Sequence, residues 1–286
     1  MGDPVDMPLK RLLVVVSLGV AGLAAGAGSG TTPAQTSMAT MKSPLLRNAA
    51  QVSANWSGYV AAGSVAAAAT TTSFTGVAAR WVQPRARCTV GRSSSSAFWV
   101  GIGGASDASH ALEQTGTQVS CNAKGKATYS MWYELVPGPS VTIKYKVFPG
   151  NAITASVTVK GTRVTVQIRN LSRRTRFTKV LTMSSPDTSS AEWVAEAPSA
   201  CFSADRCVVV PLTDFGTVSF TNATAIADGH HGTIGDSAWT ATPVVLDSSR
   251  QGSLVGNAPS TDGAVPSLLS PDGAAFNVEY QATLSP

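Results

Sequence analysis

The sequence predicts an all-β protein, a β-sandwich of two antiparallel sheets. Three observations carry that reading. Charged residues make up only 13% of the 286-residue chain, while Gly, Ser, Thr, Ala and Val abound, a composition that suits short strands and turns better than surface helices. Apolar and polar residues alternate through segment after segment, the mark of strands with one buried face. No stretch carries an amphipathic pattern through three helical turns.

In chain order, Lys10 and Arg11 precede LLVVVSLGVAGLAA, an apolar run over residues 12–25. It is too short to span a bilayer, which takes about 20 residues. Ala25-Gly26-Ala27 offers a small-x-small cleavage site, so residues 1–27 read as a secretory signal peptide, with an uncleaved anchor as the alternative. Residues 28–52 are mostly Ala, Thr, Ser, Gly and Met without pattern, and read as a flexible tail or short propeptide. Residues 53–286 remain as one β domain. An extracellular protein is expected, free of the membrane once the leader is cut.

Alternation takes over from VSANWSGYVAA (52–62). In VTIKYKVFPG (141–150), Val141, Ile143, Tyr145 and Val147 point one way and Thr142, Lys144 and Lys146 the other. ITASVTVKG (153–161) repeats the pattern, and TRVTVQIRN (162–170) turns Val164, Val166 and Ile168 inward. Pro149-Gly150-Asn151, Lys160-Gly161 and Asn170 to Arg174 supply turns between these strands. FTKVLTMS, AEWVAEAP, GTVSFTNATAI, TPVVLDS and AAFNVEYQATL are the later strand candidates.

Cys88, Cys121, Cys201 and Cys207 make an even number in an exported chain, which predicts two disulfides. Three pairings are possible. Cys88–Cys121 and Cys201–Cys207 are preferred because each ties neighbouring segments. No C-x-x-C pair or nearby histidine supports zinc, so no metal site is expected.

The formal net charge is +5, and basic residues cluster in RNLSRRTRFTK (169–179). Nearly absent aromatic interleaving argues against nucleic acid. The segment reads as a turn between strands whose outward faces are cationic, a surface that aids solubility or adhesion to anionic cell walls.

For chemistry, Gly235-Asp236-Ser237 lacks the context of a serine hydrolase, and His110, His230 and His231 do not complete a triad. Adjacent histidines in a Gly-rich loop read as solvated. Oxidised thiols leave no cysteine nucleophile. Asn55, Asn170 and Asn222 each open an Asn-x-Ser/Thr glycosylation pattern. The carboxylates say more. Glu134 lies in MWYELVP beside Trp132 and Tyr133. In AEWVAEAP, Glu192, Val194 and Glu196 share one strand face, which suits a cleft or an exposed edge strand. Glu113, Gln114 and Gln118 follow the Gly-rich WVGIGG, and by residue habit they read as a solvated strand end.

From about Ser53 to the C-terminus the chain resembles the glutamic peptidases, the eqolisins of peptidase family G1. SANWSGYV is similar to the family's Ser-Asn-Trp-Gly-Gly, FWVGIGG to Trp-Val-Gly-Ile-Asp-Gly, and LEQTGTQ to Leu-Gln-Thr-Gly. MWYELVP is similar to Trp-Tyr-Glu-Trp-Tyr-Pro, AEWVAEAP to Ala-Glu-Trp-Ile-Val-Glu, and LTDFGTVSFTNATA to Ala-Asp-Phe-Gly-Ser-Val-Thr-Phe-Thr-Asn-Ala. Each match is weak alone; six in one order are specific.

The resemblance implies a concanavalin- or lectin-like jelly roll and a secreted monomeric endopeptidase without cofactor or metal. Its substrates would be proteins and peptides, and its pH optimum acidic. The catalytic pair would be Gln114 and Glu196, with Trp56, Trp99, Trp132 and Glu134 lining or supporting the cleft. Glu196 would act as general base and then acid, and Gln114 would stabilise the oxyanion. The family's Asp is Gly103 here, its second Trp is Leu135, and an Asp four residues past the glutamine is Gln118. These departures bear on subsites and acidity. The alternatives are a carbohydrate-active sandwich using two carboxylates such as Glu134 and Glu196, and a binding module without turnover.

Overall fold

The computed structural model describes residues 50–63, 72–106, 109–203, 206–250 and 261–284, with side chains left aside over 201–207. The predicted signal peptide and residues 28–49 lie outside these residues. Strands follow one another from the start: β1 (Gln51–Ser53), β2 (Trp56–Ala62), β3 (Phe74–Val82), β4 (Ser94–Ile102), β5 (Leu112–Cys121), β6 (Ala127–Val136), β7 (Val141–Ile143), β8 (Ala152–Lys160) and β9 (Arg163–Asn170). Then come β10 (Thr175–Thr182), β11 (Ser190–Glu196), β12 (Ser199–Ser203), β13 (Arg206–Val209), β14 (Thr217–Ala227), β15 (His230–Thr233), β16 (Thr240–Asp247), β17 (Gly263–Pro266) and β18 (Phe276–Gln281). The helical element among the described residues is a 3₁₀ turn, Ser248–Arg250. The all-β expectation therefore holds. Gln51 and Val52 belong to β1, which pairs in parallel with β16.

Two separate sheets are not what the pairing gives. One hydrogen-bonded path runs β10-β9-β8-β3-β14-β18-β17-β16-β2-β11-β4-β5-β6-β7. The joint is β14. Its first part, Thr217–Phe220, pairs with β18, and its second pairs with β3. The register slips between Thr221 and Thr224, where Asn222 has φ 50°. Such a bulge bends a strand and raises its twist, letting one strand serve both halves.

The halves then cover each other. The Trp81 indole of β3 donates to Thr117 Oγ1 of β5 over 3.0 Å, and the Trp193 indole of β11 donates to the Ala78 carbonyl of β3 over 2.9 Å. Tyr133 of β6 stacks on Phe177 of β10, with ring centroids 5.6 Å apart. Between them lies a continuous core that includes Val157, Val164, Val166, Ile168, Phe98 and Val100. Each such side chain, fully buried, contributes about 2 kcal/mol of transfer free energy. The alternation in β8 and β9 does what the sequence predicts, turning Ile153, Val157, Val164, Val166 and Ile168 inward.

The segment 141–150 departs from expectation. Regular pairing stops at Ile143, and Val141 and Tyr145 are exposed while Ile143 and Val147 are buried. β7 is the last strand of its path and, among the described residues, pairs with β6 over three residues. The Cys88–Cys121 disulfide is present and closes 33 residues of sequence against the end of β5. Cys201 and Cys207 stand opposite each other in the β12–β13 hairpin; their side chains lie outside the described residues.

Candidate active site

Five strands, β2, β11, β4, β5 and β6, lie side by side, and alternation decides which residues share their face. One cross-strand row reads Val60, Glu192, Gly101, Gln114, Glu134. Another reads Trp56, Glu196, Ala97, Gln118, Ser130. Trp99 and Val194 lie in register between them, and Trp132 pairs with Gly116 in the same intervening row. This face carries a second apolar cluster of Trp56, Trp99, Trp132, Val60, Leu112 and Val194. Two glycines seat the Trp99 indole. A Cβ at Gly101 would meet the Trp99 ring at 2.8 Å, and one at Gly116 would meet Trp99 Cβ at 2.6 Å. Trp56 meets Trp99 edge to face at 5.1 Å.

Glu196 is fully buried at the end of β11. Its Oε2 accepts the Trp99 indole N–H at 2.7 Å and its Oε1 accepts the Asn55 amide at 3.3 Å. Burial pushes its carboxyl up to about 8, against the pull of these donors and of the Trp56 indole, which lies outside hydrogen-bonding geometry. Gln114, also fully buried, donates from Nε2 to Glu134 Oε2 at 2.8 Å. The Glu134 carboxyl is pushed up to about 9, first by burial and then by the Glu196 charge, while the Gln114 bond pulls it down. Gln114 and Glu196 are thus two strands and four residues apart in register, and Glu134 interacts with both. Among the described residues, Gln114 Oε1, Glu134 Oε1 and the indole nitrogens of Trp56 and Trp132 are buried without a partner. Unpaired buried polar atoms on one sheet face are what a bound water or peptide would satisfy.

A second carboxyl group lies at the end of β4. Burial raises Glu113 to about 8 and holds Glu192 well above the ordinary carboxylate range. Asp187 goes the other way. Burial pushes it up, but the Ser109 hydroxyl, Ser189 and the backbone N–H groups of Ser189 and Gly104 outweigh this and lower it. Among the described residues no group of three or more His, Cys, Asp or Glu side chains is arranged to hold a metal ion.

The sequence over residues 54–255 matches the model of the Peptidase A4 family. The chain belongs to that family. Its structure is similar to scytalido-glutamic peptidase bound to a peptide-based transition-state analogue, at 25% identity and a TM-score of 0.61, covering 80% of this chain and 98% of that one. It is also similar to aspergilloglutamic peptidase from Aspergillus niger, at 26% identity and a TM-score of 0.50, covering 66% and 99%. A third likeness, to SCP-B of the eqolisin family in complex with the tripeptide Ala-Ile-His, is one of fold (24% identity, TM-score 0.58, covering 80% and 98%). No curated protein matches the chain. This Peptidase A4 member is accordingly a glutamic endopeptidase, a hydrolase of peptide bonds.

Against the sequence expectations, the Peptidase A4 chain brings Gln114, Glu196, Trp56, Trp99, Trp132 and Glu134 to one face. The solvated strand end is corrected: Glu113 and Gln114 are fully buried and Gln118 is 5% exposed. Glu113 pairs with Ile102 and Leu135, on the side of the sheet opposite Gln114. An exposed edge strand is likewise excluded for Glu192 and Glu196, because β11 has neighbours on both sides. Leu135 packs on the main core, away from this face. Gln118 spends its amide on Ser95 and Ser120, at 3.0 Å each. Gly103 has φ 82°, and a Cβ there would strike Asp187 at 2.6–2.7 Å. Asp187 therefore lies directly against Gly103. Sequence reasoning missed Asp187, and it noted Asn55 only as the start of an Asn-x-Ser pattern, whereas the buried Asn55 amide donates to Glu196.

Proposed function

We propose that this glutamic peptidase is a secreted acid endopeptidase in which Glu196 and Gln114 act together on one water. The observation that carries the reading is the placing of both groups on one sheet face, with Gln114 tied to Glu134 and Glu196 held by the Trp99 and Asn55 donors. Burial is the chief reason the resting Glu196 carboxyl holds its proton. Water entering with substrate relieves that desolvation, and the Trp99 and Asn55 donors then favour the carboxylate. Glu196 takes a proton from the water, whose oxygen attacks the scissile carbonyl. Gln114 has one amide hydrogen committed to Glu134; the other is free for the developing oxyanion, a donor worth about 3 kcal/mol in the transition state. Glu196 returns its proton to the leaving nitrogen as the C–N bond breaks. Glu196 accepts two donors, from Trp99 and Asn55, and Glu134 accepts one, from Gln114, so the carboxylate form is better supported at Glu196, which makes it the base and leaves Glu134 the neutral partner.

On the same reading residues 1–27 are a cleaved leader, residues 53–286 are a monomeric catalytic unit, and the two halves of the sheet serve as the layers of a jelly roll. The deciding experiment is casein hydrolysis at acidic pH by Gln114→Ala and Glu196→Gln, with circular dichroism to confirm folding. Both variants should be inactive and folded. Near-wild-type turnover by either would remove the pair from the mechanism.

A further inference from the structure

The peptidase reaction leaves the opposite side of the molecule unused, and its charge is one-sided. From Leu135 to Pro186 the sequence holds nine of the 21 basic residues and none of the 16 acidic ones. That stretch builds β8, β9 and β10, which join β3 in one flank of the sheet. Pairing aligns Arg80, Thr154, Arg169 and Arg176 in a single cross-strand row, and all three arginines are exposed. At about 4.8 Å between strands, Arg169 and Arg176 are immediate neighbours and Arg80 stands about 10 Å from Arg169. The next row is Ala78, Ser156, Gln167 and Thr178, and the one after is Gly76, Thr158, Thr165 and Val180. The outward face thus offers guanidinium groups beside hydroxyl and amide groups, with no carboxylate and no aromatic ring. None of the three arginines is in an ion pair among the described residues. The surface is also hollowed. A cavity of about 330 Å³ lies between Arg80, Thr154, Gln167, Arg169 and Asn222. It adjoins a second of about 530 Å³ that reaches Thr158, Ile226 and His231, and the two share Ala78, Ser156 and Thr224.

We propose that this outer face of β3, β8, β9 and β10 binds an anionic polysaccharide and so holds the peptidase on acidic surface polymers, away from its catalytic face. Charge complementarity supplies the attraction: a single-sign patch on a chain of net charge +5 concentrates field on its own side. The choice of partner follows from what lies between the charges. Thr154, Ser156, Thr158, Thr165, Gln167 and Thr178 are donors and acceptors suited to sugar hydroxyls. Bases would call for aromatic stacking, which this face lacks.

The test uses the full secreted chain and measures binding to immobilised sulfated dextran at low ionic strength, with neutral dextran and DNA as comparators. Wild type should bind sulfated dextran, release it as salt rises, and ignore neutral dextran. The triple variant Arg80→Glu/Arg169→Glu/Arg176→Glu should bind about tenfold more weakly or worse while hydrolysing casein at the wild-type rate. Arg85→Glu/Lys124→Glu/Lys126→Glu makes the same change in net charge elsewhere on the exposed surface and should bind within about twofold of wild type. Equal losses in the two triples would reduce the effect to net charge and overturn the site. Tighter binding to DNA than to sulfated dextran would overturn the partner. No binding by wild type would overturn both.

Discussion

The Gln114 amide nitrogen donates to Glu134 Oε2 across 2.8 Å, from directly opposite positions of β5 and β6. One bond thereby fixes which way the amide faces, because the nitrogen is tied and the carbonyl oxygen has no partner. Glu134→Ala removes the acceptor and lets the amide rotate. It should lower kcat on a peptide substrate by about 10²-fold, the scale of misplacing a reacting group by an ångström, with KM little changed. Glu134→Gln keeps an acceptor for Gln114 and removes the titrating group. It should retain most of kcat and lose any alkaline limb of the kcat profile near 9. An Ala variant with wild-type kcat would show that Glu134 does not orient Gln114.

Stability should fall as pH rises. Glu113, Glu134 and Glu196 are raised to about 8, 9 and 8, and Glu192 well above its ordinary value, in each case mainly by burial. Between the unfolded value near 4.5 and these folded values, the unfolded chain has released protons that the native state keeps. The slope of stability against pH is then negative, and each such group steepens it. The contribution is fully present below 4.5 and is lost as pH rises through the folded values. Urea unfolding at several pH values between about 5 and 7 should show a steep decline in wild type and a shallower one in Glu113→Gln, by about one group's worth. An unchanged slope in that variant would remove Glu113 from the set.

How far the sequence carried differs from residue to residue. Val164, Val166 and Ile168 were readable because a half-buried strand repeats every two residues, and the structure buries all three. Gln114, Glu134 and Glu196 were readable through ordered motifs; composition alone made Gln114 and its neighbour Glu113 look solvated. Asp187 was not readable. It sits before β11 in a segment without period, and its place beside Gly103 is set by the chain crossing the end of β4. The single sheet path was hidden for a related reason. It depends on the slip at Asn222 in β14, and GTVSFTNATAI alternates smoothly enough to pass for a strand of one sheet.

Trp99 offers a test of the Glu196 charge. Its indole N–H on Oε2 is the shortest bond the carboxylate makes among the described residues, at 2.7 Å, and a hydrogen bond to a charged group contributes about 1.5–3 kcal/mol. Trp99→Phe keeps an aromatic ring over Gly101 and deletes that donor. The ionised form loses support, so the Glu196 carboxyl moves further up and the base is scarcer at acidic pH. kcat/KM should drop about tenfold or more, with the pH dependence displaced to higher pH. Trp56→Phe removes an N–H without a direct bond to the carboxylate and should displace the profile less. Equal, unshifted profiles in both variants would mean the indoles only pack.

The Cys88–Cys121 disulfide should separate stability from catalysis. Closing a loop of 33 residues is worth about 3–4 kcal/mol in the chain-entropy account. Cys121 is the last residue of β5, seven positions beyond Gln114, and the ladders of β5 with β4 and β6 hold the strand along its whole length. Cys88→Ser/Cys121→Ser should therefore unfold at lower urea, by a few kcal/mol in extrapolated stability, and yet cleave peptide with wild-type kcat at moderate temperature. A fall in kcat under conditions where circular dichroism reports a fully folded variant would mean that the bridge, rather than the neighbouring strands, sets the position of Gln114.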